Sequence, residues 1–477
     1  MRCSSYRGVR FVGLPRISLP RAIGWDKSMQ SVALTEPTPR SISETVRLAY
    51  RFVSYKTGVI KAILEQSIEQ DDPFIFSFGT VMNDTSRYSP HQCSVRNGGA
   101  GLTREEAIAA TIGEAIERYC SNFYNRASLL FSSYEDLNCE AVPPEDFTLY
   151  SDRQYDQEGF PFKRFTRKSQ ICWTQAYSLL DHKPKLVPAC FVYLPYLYTQ
   201  GESLLGPSIS TGLSCGNSLE EAILTGIYEC IERDAFIIMW LNKLVMPVVT
   251  LESNESQSGQ LFAEKFAVSG IEYCICDITS DIGVPTYYTL AIGNSTVGKL
   301  ACVGSATRLN AAEAIRKSLI ESAQGRPYLR YVLRKDPDWT CGENFSNLQN
   351  FDDHGRLYSS VPDLIPKLEF VKQPPTVSAE KLSNLSTGTI VGDIEVCLEK
   401  LATKGFDVLV VDLTTRDVAE VGFRVVRVLI PKLQPLHGNH QFRFLGGKRL
   451  YEAPRILGYT AQDTAEEELY PWPHPFP

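Results

Sequence analysis

Apolar positions follow two different periods along this chain. From Ser43 to about Gln66, in "SETVRLAYRFVSYKTGVIKAILEQ", they recur at helical spacing, broken at Gly58, and predict a helical segment within residues 41–75. Further on, "EYCICDIT", "VPTYYTLAIG", "LACVGSAT", "DVLVVDL" and "FRVVRVLI" are short apolar runs bounded by turn residues and read as strands. Residues near 335–390 are polar and irregular, and read as a surface insertion or long loop. Strands and helices alternate irregularly rather than as βαβ units. The expected fold class is therefore α+β, with layered mixed β-sheets packed with helices, rather than a doubly wound sheet.

A repeat cuts across this pattern. "EAIAATIGEAIER" from Glu106, "EAILTGIYECIER" from Glu221 and "EAIRKSLIESAQGR" from Glu313 each follow a small or Gly-rich turn. Thr103-x-x-Glu106 and Ser218-x-x-Glu221 fit a capping box, and Asn310-x-x-Glu313 is a looser version. Three helices are predicted. Residues at i, i+8 and i+11 of a helix lie within roughly 80° of one another. Glu106, Glu114 and Glu117 thus share a face, as do Glu221, Glu229 and Glu232, and Glu313, Glu321 and Gln324. Arg118 or Arg233 follows the carboxylates in the first two copies.

Intervening positions on these faces are mostly small or apolar (Ala110, Gly113, Thr225, Tyr228, Ile320), Lys317 being the exception, so the faces are expected to be partly buried. Buried carboxylates need compensating cations or hydrogen bonds. Glutamates converging from several helices suit Mg²⁺, and adjacent Arg suits phosphate oxygens, so a Mg-nucleotide site is the leading chemical reading. Capping is the competing role for Glu106 and Glu313. The P-loop look-alike "GNSTVGK", Gly293–Lys299, is set aside. Leu300 stands where Ser or Thr should be, and a strand follows instead of a helix, so a hairpin turn fits better.

Bulk properties narrow the class. The chain has 477 residues, 43% of them hydrophobic, and a formal net charge of −7, which disfavours a general nucleic-acid binder. No apolar run is long enough to span a membrane. The 13 cysteines are dispersed, as reduced thiols in a cytoplasmic protein would be, and Cys274 and Cys276 read as buried strand thiols. Residues 1–40 open with five Arg and no acid in the first 25, and read as a disordered basic extension, with a transit peptide or a mis-chosen start as alternatives.

The last residues, "YPWPHPFP", form a stiff extended terminus. Together with "GGAGLTREEAIAATIGEAIERY", "STGLSCGNSLEEAILTGIYECIERDA" and "AEAIRKSLIESAQGR", this tail resembles the YcaO family, and within it a stand-alone azoline-forming cyclodehydratase. The similarity runs from about residue 75 to the end, giving a YcaO domain over 76–477 with its proline-rich tail at 471–477.

The resemblance implies an ATP- and Mg²⁺-dependent enzyme acting on a ribosomally made precursor peptide. A Cys, Ser or Thr side chain attacks the preceding amide, and phosphorylation of the former amide oxygen lets it leave as phosphate. By the same resemblance Ser214, Asn217, Arg233 and Arg118 contact the nucleotide. Glu114, Glu117, Glu221, Glu229 and Glu232 hold Mg²⁺, so capping is replaced at Glu221. Glu321 and Gln324 either join the site or pack behind it. The tail (Pro471, Pro473, His474, Pro475, Pro477) reaches the active site, where His474 orients substrate, shuttles a proton or packs.

Two positions depart from the family pattern. Ala100 replaces a family Lys, and Lys432 follows Pro431 where Gly is usual. Expected partners are a separate leader-peptide-binding protein resembling ubiquitin-activating enzymes, a flavin dehydrogenase and a second copy in a homodimer. Thioamide or amidine formation, and a silent accessory subunit, are the rival readings.

Overall fold

Three times the chain runs from a strand through a polar turn into a long helix. In this computed structural model, residues 31–477 are described apart from 87–88, 90–91, 95–96, 148, 252–255, 269, 374 and 380–381. The strands of a first, antiparallel sheet are β1 (Ile60–Glu65), β2 (Phe76–Met82) and β3 (Gly98–Gly101) in that order. The next strands in the chain are β4 (Leu130–Ser132), β5 (Ile171–Ser178), β6 (Lys183–Pro188), β7 (Leu213–Gly216) and β8 (Val248–Thr250). They are followed by β9 (Ile271–Asp277), β10 (Thr286–Ser295), β11 (Gly298–Thr307), β12 (Thr376–Ser378), β13 (Leu409–Asp412) and β14 (Arg424–Leu429). One sheet has the order β4-β5-β13-β14-β7 with β6 beside β5, and another β11-β10-β9-β8-β12. Its β8–β12 pair is parallel.

The helices are α1 (Ile42–Ala49), α2 (Arg104–Ser121), α3 (Asp152–Tyr155), α4 (Leu219–Leu241) and α5 (Gln257–Lys265). After them come α6 (Ala311–Lys335), α7 (Phe351–Ser360), α8 (Ile390–Thr403), α9 (Arg416–Val421) and α10 (Lys448–Ile456). The α+β class is confirmed. Helices α2, α4 and α6 each follow one strand of a different sheet (β3, β7 and β11), and the caps explain where they start. Thr103 and Glu106 form a reciprocal capping box, and the Ser218 side chain accepts the Glu221 N–H. At Asn310 the side chain bonds Ala312 instead, while Glu313 pairs with Arg316 at 2.8 Å, so it caps nothing.

Each helix lies almost in contact with its strand. A Cβ at Gly99 would fall 2.3 Å from the Thr111 nitrogen, and one at Gly304 would fall 2.2 Å from the Ser318 carbonyl oxygen. Only glycine permits this approach.

Three expectations need correction. The segment from Ser43 to Gln66 is helical only through α1 and a short 3₁₀ turn at Tyr50–Phe52, and its second half is β1. The chain reverses at Gly58, where a side chain would overlap the Phe52 carbonyl, and Ile60–Glu65 then pairs along β2. Residues 335–390 are not a surface insertion. They contain α7 and bury Leu348, Leu357, Tyr358, Ile365 and Leu368 in one core with Trp240 and Phe476. Polar residues on the outer faces hide this spaced apolar set in the sequence.

The third correction concerns the N-terminal arm. Residues 1–30 lie outside the described residues, but from Ser31 the chain is laid against the fold. Glu36 accepts the N–H groups of Ile390 and Val391 at the start of α8 (3.0 and 2.9 Å), and Thr35 N–H bonds Glu220 at 3.2 Å. Unpaired N–H groups at a helix start are a natural dock for such a carboxylate. The expected strands hold, "GNSTVGK" is the β10–β11 hairpin turn, and Cys274 and Cys276 are buried in β9.

Candidate functional site

In each strand–helix unit one glutamate accepts an N–H from the strand side. Glu114 takes Gly98 (2.8 Å), Glu229 takes Gly212 (3.2 Å) and Glu321 takes Ser305 (3.4 Å). Glu117 crosses between units, accepting Cys215 N–H at 2.9 Å. These bonds aim carboxylates from three helices toward one another. Arg118 lies 3.4 Å from Glu114, Arg233 lies 3.7 Å from Glu229 and 3.5 Å from Glu232, and Lys317 lies 3.5 Å from Glu321.

The charges are out of balance. Five carboxylates (Glu114, Glu117, Glu229, Glu232, Glu321) face Arg118, Arg233 and Lys317, with the buried Arg427 also acting on Glu229. Burial pushes Glu117 up to about 8, with Glu229 and Glu114 adding to the rise against the pull of Arg118. Burial likewise pushes Glu232 up to about 8, with Glu321 and Glu229 adding and Arg233 and Lys317 opposing. Burial also opposes the charge of Arg118, but Glu114, Glu117 and Glu229 outweigh it and hold it cationic. Bound divalent cations correct such an excess, and an all-oxygen donor set suits Mg²⁺. Arg118 Nη1 is buried without a hydrogen-bond partner among the described residues, and Arg233 Nε, buried too, makes only the 3.5 Å ion pair with Glu232. An unspent guanidinium donor beside a carboxylate cage fits phosphate oxygens. The residues present therefore fit Mg²⁺ and a nucleotide.

Other residues expected in the site are placed differently. Glu221 sits about two helical turns before Glu229, roughly 12 Å along the axis. Its carboxylate accepts Asn217 N–H at 2.8 Å and lines a cavity of about 330 Å³ with Thr225, Tyr228, Arg308, Asn310 and Cys215, the residue whose N–H Glu117 holds. The Ser214 hydroxyl is buried and donates to the Ala222 carbonyl at 2.5 Å, tying β7 to α4. The Asn217 side-chain oxygen accepts from Thr45 (2.9 Å) and Arg40 (3.0 Å), which docks the N-terminal segment. Glu321 joins the carboxylate group, and Gln324 lies beside Gly98.

The tail is held bond by bond. Tyr470 N–H bonds the Leu241 carbonyl at 2.6 Å, and the Trp240 indole donates to Trp472 at 2.9 Å. The Tyr358 hydroxyl donates to Pro473 at 2.5 Å, and His354 Nδ1–H to His474 at 2.9 Å. His474, 1% exposed, donates from Nε2 to His437 and accepts Phe476 N–H at Nδ1, so both ring nitrogens are spent on backbone. Pro473 and Pro475 are buried, and Pro471 and Pro477 are exposed. Next to the last proline, the Phe476 ring lies 4.2 Å from the Arg233 guanidinium carbon.

Sequence reasoning missed Phe476, and also Tyr228 and Arg308, whose guanidinium covers the Tyr228 ring at 5.0 Å. The only sequence signal for Phe476 was an aromatic residue caught between two prolines. Gly355 gives way to the tail, since a Cβ there would lie 2.8 Å from Pro477.

Sequence and fold both match known proteins. The sequence profile described as "YcaO cyclodehydratase, ATP- and Mg²⁺-binding" matches residues 98–434. An uncharacterized protein of Methanothermobacter thermautotrophicus is 30% identical over 340 residues, 70% of this chain and 81% of its own. A protein described as lying in the tfuA 3' region of Rhizobium leguminosarum bv. trifolii is 24% identical, over 50% of this chain and 57% of its own.

Among solved structures, a heterocyclase in complex with substrate and cofactor superposes with TM-score 0.74 at 22% identity, and the heterocyclase TruD with 0.66 at 23%. Both cover 94% of this chain, which in turn spans 60% and 56% of those longer chains. YcaO from Methanopyrus kandleri, bound with AMPPCP and Mg²⁺, superposes with TM-score 0.58 at 20% identity, covering 83% of this chain and 92% of its own. The profile covers well over half of the sequence, and the chain belongs to the YcaO family of ATP- and Mg²⁺-binding cyclodehydratases.

Proposed function

We propose that this chain converts Cys, Ser or Thr residues of a ribosomally made precursor peptide into thiazolines or oxazolines. The observation that carries the reading is the pairing of a five-glutamate cage with Arg118 and Arg233, of which Arg118 Nη1 is buried with no hydrogen-bond partner among the described residues. When bound, Mg-ATP supplies the phosphoryl group that turns an amide oxygen into a leaving group.

The chain's own residues position and neutralise charge. Glu114, Glu117, Glu229, Glu232 and Glu321 hold the ion, and Arg118 and Arg233 hold phosphate oxygens. Glu221 acts from the neighbouring cavity, on the nucleoside side or on a second ion, with Tyr228 and Arg308 as a stacking surface. Ser214 acts one step back, by tying β7 to α4, and Asn217 by docking the N-terminal segment. The tail sets the orientation of Arg233 through Phe476, and His474 serves as the tail's anchor because both its nitrogens are engaged.

Substrate delivery by a separate leader-binding protein, later oxidation by a flavin dehydrogenase, and a homodimer belong to the same proposal. One structurally similar heterocyclase was solved with substrate, and the chain spans only part of it. The test combines chain, ATP, Mg²⁺, a Cys-rich candidate precursor and a leader-binding partner, and follows the peptide by mass spectrometry. Loss of one water per ring, with ADP and phosphate released, supports azoline formation. Exchange of oxygen for sulfur would replace it with thioamide chemistry, and an unaltered peptide with ATP unspent would reject it.

A further inference from the structure

Four of the chain's six histidines meet at the base of the tail: His354 from α7, His437 and His440 from the segment after β14, and His474. Backbone carbonyls fix their tautomers. A carbonyl oxygen can only accept, so His354 carries its proton on Nδ1, toward His474, and His474 carries its proton on Nε2, toward His437. That leaves lone pairs on His354 Nε2 and on His474 Nδ1, the latter accepting Phe476 N–H at 3.2 Å. Among the described residues, His354 Nε2, His437 Nδ1 and His440 Nδ1 are all buried without a hydrogen-bond partner. One ring nitrogen from each of His354, His437 and His474 lies within 4.8 Å of the others.

We infer that His354, His437 and His474 form a binding site for a nitrogen-preferring divalent cation of the Zn²⁺ or Co²⁺ class, separate from the glutamate cage. Three neutral imidazoles without a carboxylate or thiol disfavour Mg²⁺ and favour such ions. Metal-ligating histidines characteristically donate their other N–H to a backbone carbonyl, as His354 and His474 do here. Burial, together with the neighbouring Arg233 and Arg443, keeps the rings uncharged, which is the ligating state.

The His354 and His474 rings are stacked, 3.9 Å apart and 9° from parallel, so one must tip for both lone pairs to meet an ion. The His354 ring is the freer of the two to tip, since it makes one ring hydrogen bond and His474 makes two, and an ion at His474 Nδ1 would replace the 3.2 Å bond from Phe476 N–H. His440, whose ring centre lies 5.9 Å from that of His354, offers the nearest further imidazole. The ion would cross-link α7, the segment after β14 and the tail, two residues before Phe476 reaches Arg233.

The test uses the full chain, stripped with a chelator and returned to excess Mg²⁺ so that the glutamate cage is filled. Zn²⁺ is then titrated, and Co²⁺ is followed by its visible absorption. One Zn²⁺ or Co²⁺ should bind per chain, and His437→Gln should weaken it more than about tenfold. Glu229→Gln, outside the tail, should leave it unchanged. Zinc K-edge absorption of the wild-type chain should show imidazole nitrogen neighbours, a readout that stands even if the variant fails to fold. No retained ion, equal binding by His437→Gln, or a shell of oxygen or sulfur alone would overturn the inference.

Discussion

Replacing Phe476 by Leu separates the two things this side chain does. Phe476 is 4% exposed and packs 5.0 Å from the Phe236 ring, so it seals the tail against α4. It also lies 4.2 Å under the Arg233 guanidinium, which is itself 3.5 Å from Glu232. Leu keeps most of the apolar volume, at a cost under about 1.5 kcal/mol. It removes the π face, and a desolvated cation–π contact is worth about 1–2 kcal/mol. If that contact holds Arg233 ready for phosphate, kcat/KM for ATP should fall about 5- to 30-fold, since each 1.36 kcal/mol is about tenfold. The melting temperature should fall only slightly. The assay is phosphate release beside ring formation, with Phe476→Tyr as the variant that restores both. Unchanged kinetics in the Leu variant would refute the orienting role and leave the tail as packing alone.

Other consequences are equally direct. Glu117 and Glu232 are raised to about 8 in the metal-free chain, so the folded state binds protons that the unfolded state has released between about pH 4.5 and 8. Metal-free stability should therefore fall as pH rises through that window, and Mg²⁺ should raise the melting temperature more at pH 8.5 than at pH 6. A Mg²⁺ effect independent of pH would contradict the cage. Gly304→Ala forces a methyl toward the Ser318 carbonyl, 2.2 Å away, and should cost about 1–3 kcal/mol in denaturant unfolding. Arg449→Met strands Asp234, fully buried and 2.7 Å from the guanidinium, and should cost about 3–5 kcal/mol by the same measurement.

The sequence was most legible where one local rule decided the outcome. Capping pairs located α2 and α4, and the i, i+8, i+11 spacing put Glu114, Glu117, Glu229 and Glu232 on faces that converge. It also included Glu221 in that group, because angle around a helix ignores the rise that separates Glu221 from Glu229. Legibility failed where long-range contacts decided. Ile60–Glu65 became a strand because β2 was there to pair with, and α7 was invisible because its buried stripe faces the tail. Phe476 drew no notice, since its meaning lies in Arg233, far away in sequence. Ser214 and Asn217 match nucleotide contacts by motif, but the Ser214 side chain ties β7 to α4 and the Asn217 side chain docks the N-terminal segment through Thr45 and Arg40.

The account rests on the glutamate cage holding a Mg-nucleotide, and calorimetric titration of ATP with and without Mg²⁺ tests it most directly. The wild-type chain should bind ATP only when Mg²⁺ is present. Glu232→Gln, isosteric and with its normal fold verified by melting, should lose that Mg²⁺-dependent binding and the phosphate release with it. Mg²⁺-dependent ATP binding that survives at full strength in Glu232→Gln would contradict the account.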